Sequence, residues 1–121
     1  MNKTTIWVTF RKEGFHKYPQ AKTDPKLSAV SYLGDLHRHL FGFRVEIEVF
    51  HDDREIEFHL FKREMEGLFT TGADIDYKSC EMLAQGVVDY LQGKYCTNTK
   101  RFISVTVDED GECGSTVTAN E

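Results

Sequence analysis

Residues 37–49, from His37 through Val49, constrain the fold more than any other stretch of the chain. Every second residue falls on one face: His37, His39, Phe41, Phe43, Val45, Ile47 and Val49. Arg38, Arg44, Glu46 and Glu48 fall on the other. Strict alternation of this kind predicts a half-buried strand with one face on a core and one toward water. Two imidazoles stand at its entrance, on the side of the apolar stripe. Side chains at i and i+2 of a strand point the same way, so His37 and His39 can close on one metal ion.

The rest of the chain predicts partners for that strand. Residues 4–11 are rich in β-branched and aromatic types, with Ile6, Val8 and Phe10 sharing a face, as in a first strand. No regular element is expected from Gly14 to Leu36, a stretch that holds both prolines. A loop of that length in a small domain is usually functional or disordered. This one leaves one strand at His16 and enters the next at His37, so a bound metal would tie it down. After a polar turn at residues 51–54 the period becomes helical, with Phe58, Phe61, Met65, Leu68 and Phe69 as its apolar stripe and Gly67 or Gly72 as its end. A second helix starts after Ser79, buries Cys80, Leu83, Ala84, Val87, Val88 and Leu91, and ends at Gly93. Residues 102–108 alternate again, and Asp108-Glu109-Asp110-Gly111 turns the chain into a last strand near 114–119. The expected class is α+β, a single domain over residues 1–121 with the order β-β-α-α-β-β and an antiparallel sheet backed by two helices.

Four strands covered on one face leave two edges and one face open, and edges are normally paired, covered or charged. The expected solution is sheets joined across subunits into a barrel; the alternative is a twisted open sheet with charged edges. The net charge of −5 argues against a nucleic-acid backbone binder. No apolar run approaches a membrane span and no signal peptide is visible, so a cytoplasmic location is expected. The three cysteines, Cys80, Cys96 and Cys113, lack zinc-like pairing and read as reduced thiols.

Several segments, in order, resemble the 6-pyruvoyl- and 6-carboxy-tetrahydropterin synthases, which have the T-fold. Phe10 to Pro19, with Glu13-Gly14-Phe15-His16-Lys17-Tyr18-Pro19, is similar to the family's first strand and first zinc histidine. Leu36-His37-Arg38-His39 resembles its Leu-His-Gly-His motif. Ile56-Glu57-Phe58 with Lys62, Ser79-Cys80-Glu81-Met82-Leu83-Ala84 and Val107-Asp108-Glu109-Asp110 resemble two helix starts and a ring-anchoring glutamate segment. The resemblance implies zinc on His16, His37 and His39, Glu109 gripping a pterin- or purine-like heterocycle across a subunit boundary, and a homo-oligomer, a trimer or hexamer, built as a barrel. Three neutral imidazoles leave a fourth zinc position open, as in a catalytic site. An ion so held polarises a carbonyl or acidifies a water, and a carboxylate suits the paired N–H groups of a guanine-like edge.

The departures from the family pattern bear on chemistry. Family synthases carry a catalytic cysteine shortly before the paired histidines, where this chain has Ala29-Val30-Ser31-Tyr32-Leu33-Gly34-Asp35. Their Asp-His pair is also missing from residues 70–77, so the catalytic residues are unassigned. Asp35 and Asp74 are read as solvated loop residues before replacement acids, and His51 and His59 as surface residues. Arg38, in place of the motif glycine, is expected to add bulk and charge near the metal. Two functions follow. One is a binding protein that holds a nucleotide- or pterin-like molecule without synthase turnover, such as a phage-type sponge for a cyclic-nucleotide or ADP-ribose-like signal. The other is an active synthase-like zinc lyase.

Overall fold

The computed structural model describes residues 2–121. Its strands are β1 (Thr4–His16), β2 (His37–Val49), β3 (Ala73–Asp74), β4 (Ile103–Glu109) and β5 (Cys113–Ala119), with helices α1 (Phe58–Glu66) and α2 (Cys80–Tyr95). One five-stranded sheet runs β3-β1-β2-β4-β5. All neighbours are antiparallel except β3, which adds a parallel pairing to β1 at Gly14 and Phe15. The expected α+β sheet backed by two helices is present, with β3 as an addition too short to leave a pattern.

The inward face of β2 is buried as its alternation predicted: Phe41, Phe43, Val45, Ile47 and Val49 are all in the core. Val8 and Phe10 join them from β1, Ile103, Val105 and Val107 from β4. Phe61 and Met65 of α1 and Leu83, Ala84, Val87, Val88 and Leu91 of α2 cover this face. Each fully buried Leu, Val or Phe contributes about 1.5–3 kcal/mol relative to exposure, so this single layer is what fixes the register. Phe58 and Leu68, expected in the α1 stripe, are instead 48% and 36% exposed. Phe58 is the first helical residue and Leu68 lies beyond the last, so neither faces the sheet.

Helix starts follow the predicted chemistry. The Glu57 carboxylate accepts from the amides of His59 and Leu60, and the Ser79 hydroxyl from that of Met82. Gly67 is the C-cap of α1. Gly93 does not end α2, which continues to Tyr95. Its Cβ position is open space, and nothing there requires the chain to turn.

The long connection between β1 and β2 differs most from expectation. β1 runs on to His16, and two 3₁₀ segments, Pro19–Lys22 and Pro25–Gly34, follow. Each has proline in its first turn, and Asp24 caps the second by accepting from the Lys26 amide. No residue of the second segment is buried, so no apolar period exists to announce it. Among the described residues β1 has no partner on its outer edge before Gly14, and β5 has none on its outer edge. Among the described residues no helix is long and apolar enough to cross a membrane.

Candidate metal centre

β1 ends opposite the start of β2. His16 and His37 are the last pair of their ladder, and His39 lies across from Gly14. His16 and His39 are therefore on the core face at the mouth of the sheet, with His37 beside them. The ring centroids of His16, His37 and His39 stand 4.6–5.1 Å apart, each pair near perpendicular. Their ligating atoms all lie within 4.8 Å of one another. Nitrogens sharing a tetrahedral zinc stand about 3.3 Å apart, so the rings would draw closer together around an ion.

The hydrogen bonds decide which nitrogen of each ring faces inward. His16 Nδ1 lies 2.8 Å from the Lys78 carbonyl, His37 Nδ1 2.8 Å from the Asp35 carbonyl, and His39 Nδ1 2.7 Å from the Asp110 carboxylate. A carbonyl or carboxylate oxygen only accepts, so each Nδ1 carries the proton and donates. In the neutral ring Nε2 then presents a lone pair. Holding Nδ1–H on an outer oxygen is how metal-binding histidines are oriented. His39 Nε2 is buried without any hydrogen-bond partner, and a buried polar atom left alone is costly. A cation at the centre of the three rings would supply what it lacks. The residues fit a metal ion of the zinc type.

Phe41 forms the floor. Its ring meets His16 and His39 edge-on at 5.2 and 5.6 Å between centroids. A Cβ on Gly14 would come within 3.1 Å of that ring, so glycine leaves Phe41 its place. The wall is the β4–β5 hairpin, whose turn has Asp110 and Gly111 at φ 58° and 73°. Asp-Gly with both residues left-handed is the favoured tight hairpin turn. Asp110 exchanges hydrogen bonds with Leu40: its amide donates to the Leu40 carbonyl at 2.9 Å, and its Oδ1 accepts from the Leu40 amide at 2.8 Å. The Leu40 amide, followed by His39, holds the Asp110 carboxyl below its usual range. The local sequence at Asp110-Gly111 signals only a turn. The role of Asp110 depends on the β2–β4 register, which sets residue 40 beside residue 110.

Glu109 Oε2 lies 3.0 Å from His16 Nε2 and 3.6 Å from His39 Nε2 of the same chain. The chain that carries the three rings thus also places this carboxylate beside them. Arg38 differs from expectation. It lies on the opposite face of β2 and donates to the Glu13 carboxylate, so its charge is directed away from the three rings. The Asp35 side chain pairs with Lys22 at 3.0 Å and Asp74 accepts from the Asp76 amide at 2.8 Å, both exposed. His51 and His59 are on the surface, as expected.

A cavity of about 810 Å³ opens beside His16, His37 and Glu109 and extends to the start of α2. Lys17, Lys78, Tyr18 and Tyr77 line it. Cys80 and Cys113 line it too. Burial, reinforced by Glu109, Glu81 and Asp108, pushes the Cys80 thiol up to about 12, so it stays protonated and weakly nucleophilic at neutral pH.

No protein-family profile matches the chain, and no curated protein sequence matches it. Solved structures do. The 6-pyruvoyl tetrahydropterin synthase of Caenorhabditis elegans superposes with a TM-score of 0.73 over 99% of this chain and 98% of its own, at 14% identity. An uncharacterized protein from Wolinella succinogenes gives a TM-score of 0.71 over 99% of this chain and 100% of its own, at 12% identity. The chain thus has the fold of a tetrahydropterin synthase, the T-fold, across its whole described length.

Proposed function

We propose that this T-fold protein binds zinc through His16, His37 and His39 and holds a pterin- or purine-nucleotide-like small molecule in the adjoining cavity, without the synthase reaction. The convergence of three Nε2 lone pairs, each ring anchored through Nδ1, carries the metal part of this reading. The cavity lining supports the ligand class. Tyr18 and Tyr77, 42% and 59% exposed, offer faces to a flat ring. Lys17 and Lys78 offer charge to an anionic tail, and the Glu109 carboxylate accepts paired N–H groups. The unpaired edges of β1 and β5 suit a trimer or hexamer closed as a barrel, which would complete the cavity between subunits. Zinc, when bound, supplies Lewis acidity toward a ring carbonyl or hydroxyl. The missing thiol before His37 and the high Cys80 value favour retention of the molecule over turnover. A sequestering role, as in a sponge for a cyclic-nucleotide or ADP-ribose-like signal, is the form of binding we favour.

One observation favours an enzyme instead. Cys113, exposed and directly across the β4–β5 ladder from Glu109, lines the cavity and could stand in for the absent thiol. Incubation of zinc-loaded protein with dihydroneopterin triphosphate, and separately with cyclic nucleotides and ADP-ribose, distinguishes the two. Stoichiometric retention, with intact ligand released on denaturation, supports binding. Product formation abolished by a chelator and by Cys113→Ser supports the synthase-like enzyme and overturns the first reading.

A further inference from the structure

The geometry points to Glu109 as a fourth ligand of the metal, closing the site whenever the cavity is empty; this rests on the metal reading above. Its Oε2 is 3.0 Å from His16 Nε2 and 3.6 Å from His39 Nε2. With Nδ1 donating to Lys78, a neutral His16 presents a lone pair at Nε2 toward a carboxylate oxygen that also carries lone pairs. Such a contact is attractive only with a cation between them. A proton serves one ring, but His39 Nε2, buried and without a partner, needs another donor or the same ion. A single divalent ion satisfies the three rings and the carboxylate together. Three histidines and one carboxylate complete a tetrahedral shell.

The hairpin makes this placement stiff. Glu109 is the last residue of β4, and the next residue, Asp110, is fastened to Leu40 and to the His39 ring. Neighbouring carboxylates thus act on one histidine from both sides, Asp110 at Nδ1 and Glu109 at Nε2. A ring molecule that takes the Glu109 oxygens for its own N–H groups withdraws that ligand and opens the fourth position in the same act. Metal access and cavity occupancy are coupled through one side chain.

The test uses the full-length protein loaded with Co(II), whose visible spectrum reports coordination, and azide as a small exogenous ligand. Wild type, Glu109→Gln and Glu109→Ala are compared, with far-UV circular dichroism confirming that each is folded. The expected wild-type spectrum is four-coordinate and unmoved by azide. Glu109→Ala is expected to gain an azide-dependent band, and both variants to bind zinc at least about tenfold more weakly in chelator competition. Identical spectra and affinities across the three proteins, or a wild type that answers azide as Glu109→Ala does, overturn the role of Glu109 and leave the three-histidine site standing. A folded wild type that takes up no cobalt overturns the metal reading itself.

Discussion

Asp110 accepts from His39 Nδ1 at 2.7 Å with one carboxylate oxygen and from the Leu40 amide at 2.8 Å with the other. One side chain therefore sets both the orientation of a ring and the spacing of two strands. Asn tolerates the left-handed backbone that Asp110 adopts, so Asp110→Asn keeps the turn and weakens the hold on His39. Zinc affinity should fall about 10- to 100-fold, as for other partners behind a metal ligand, measured by competition with a chromophoric chelator. An unchanged affinity contradicts the assignment.

Two glycines should respond to alanine in opposite directions. At Gly114 a Cβ would meet the Val107 carbonyl oxygen at 2.2 Å and Asp108 Cα at 2.7 Å, both backbone atoms that cannot step aside. Gly114→Ala should destabilise by about 1–3 kcal/mol, read as a lower urea midpoint, and loosen the hairpin that carries Glu109. Gly86 lies inside α2 with nothing near its Cβ position. Gly86→Ala should stabilise by about 0.5–1 kcal/mol.

Stability should fall on the alkaline side. Burial, then the hydrogen bond to Glu64, pushes Tyr95 up to about 12, against an ordinary value of about 10. The folded value exceeds the unfolded one, so the contribution is complete below pH ~10 and is lost as pH rises toward 12. Urea midpoints at pH 9 and pH 11 should therefore differ, and Tyr95→Phe should shrink the difference. Some slope remains in that variant, because Tyr90 bonds the same carboxylate and is also raised. A midpoint equally pH-dependent in Tyr95→Phe contradicts the assignment.

The sequence was most legible where side chains alternate against a core. β2 reads directly from Phe41, Phe43, Val45, Ile47 and Val49 because each of those positions is buried. The β-branched and aromatic pattern predicts β1 only to residue 11, but the strand runs to His16. Lys12 and Gly14 interrupt its apolar face, and the ladder to β2 holds those positions instead. The 3₁₀ segments rest on prolines and an aspartate cap, which impose no period. The three histidines were visible from spacing and resemblance. Asp110, the Lys78 carbonyl and the position of Glu109 within its own chain were not, since each depends on which strands become neighbours.

Metal stoichiometry is the most direct check that the three imidazoles form one site. Purified protein, saturated with zinc and freed of excess, is analysed for metal beside His37→Ala. About one zinc per chain in the wild type, and none retained by a folded His37→Ala, is the predicted result. A wild type that retains no zinc, or a His37→Ala that retains as much, would contradict it.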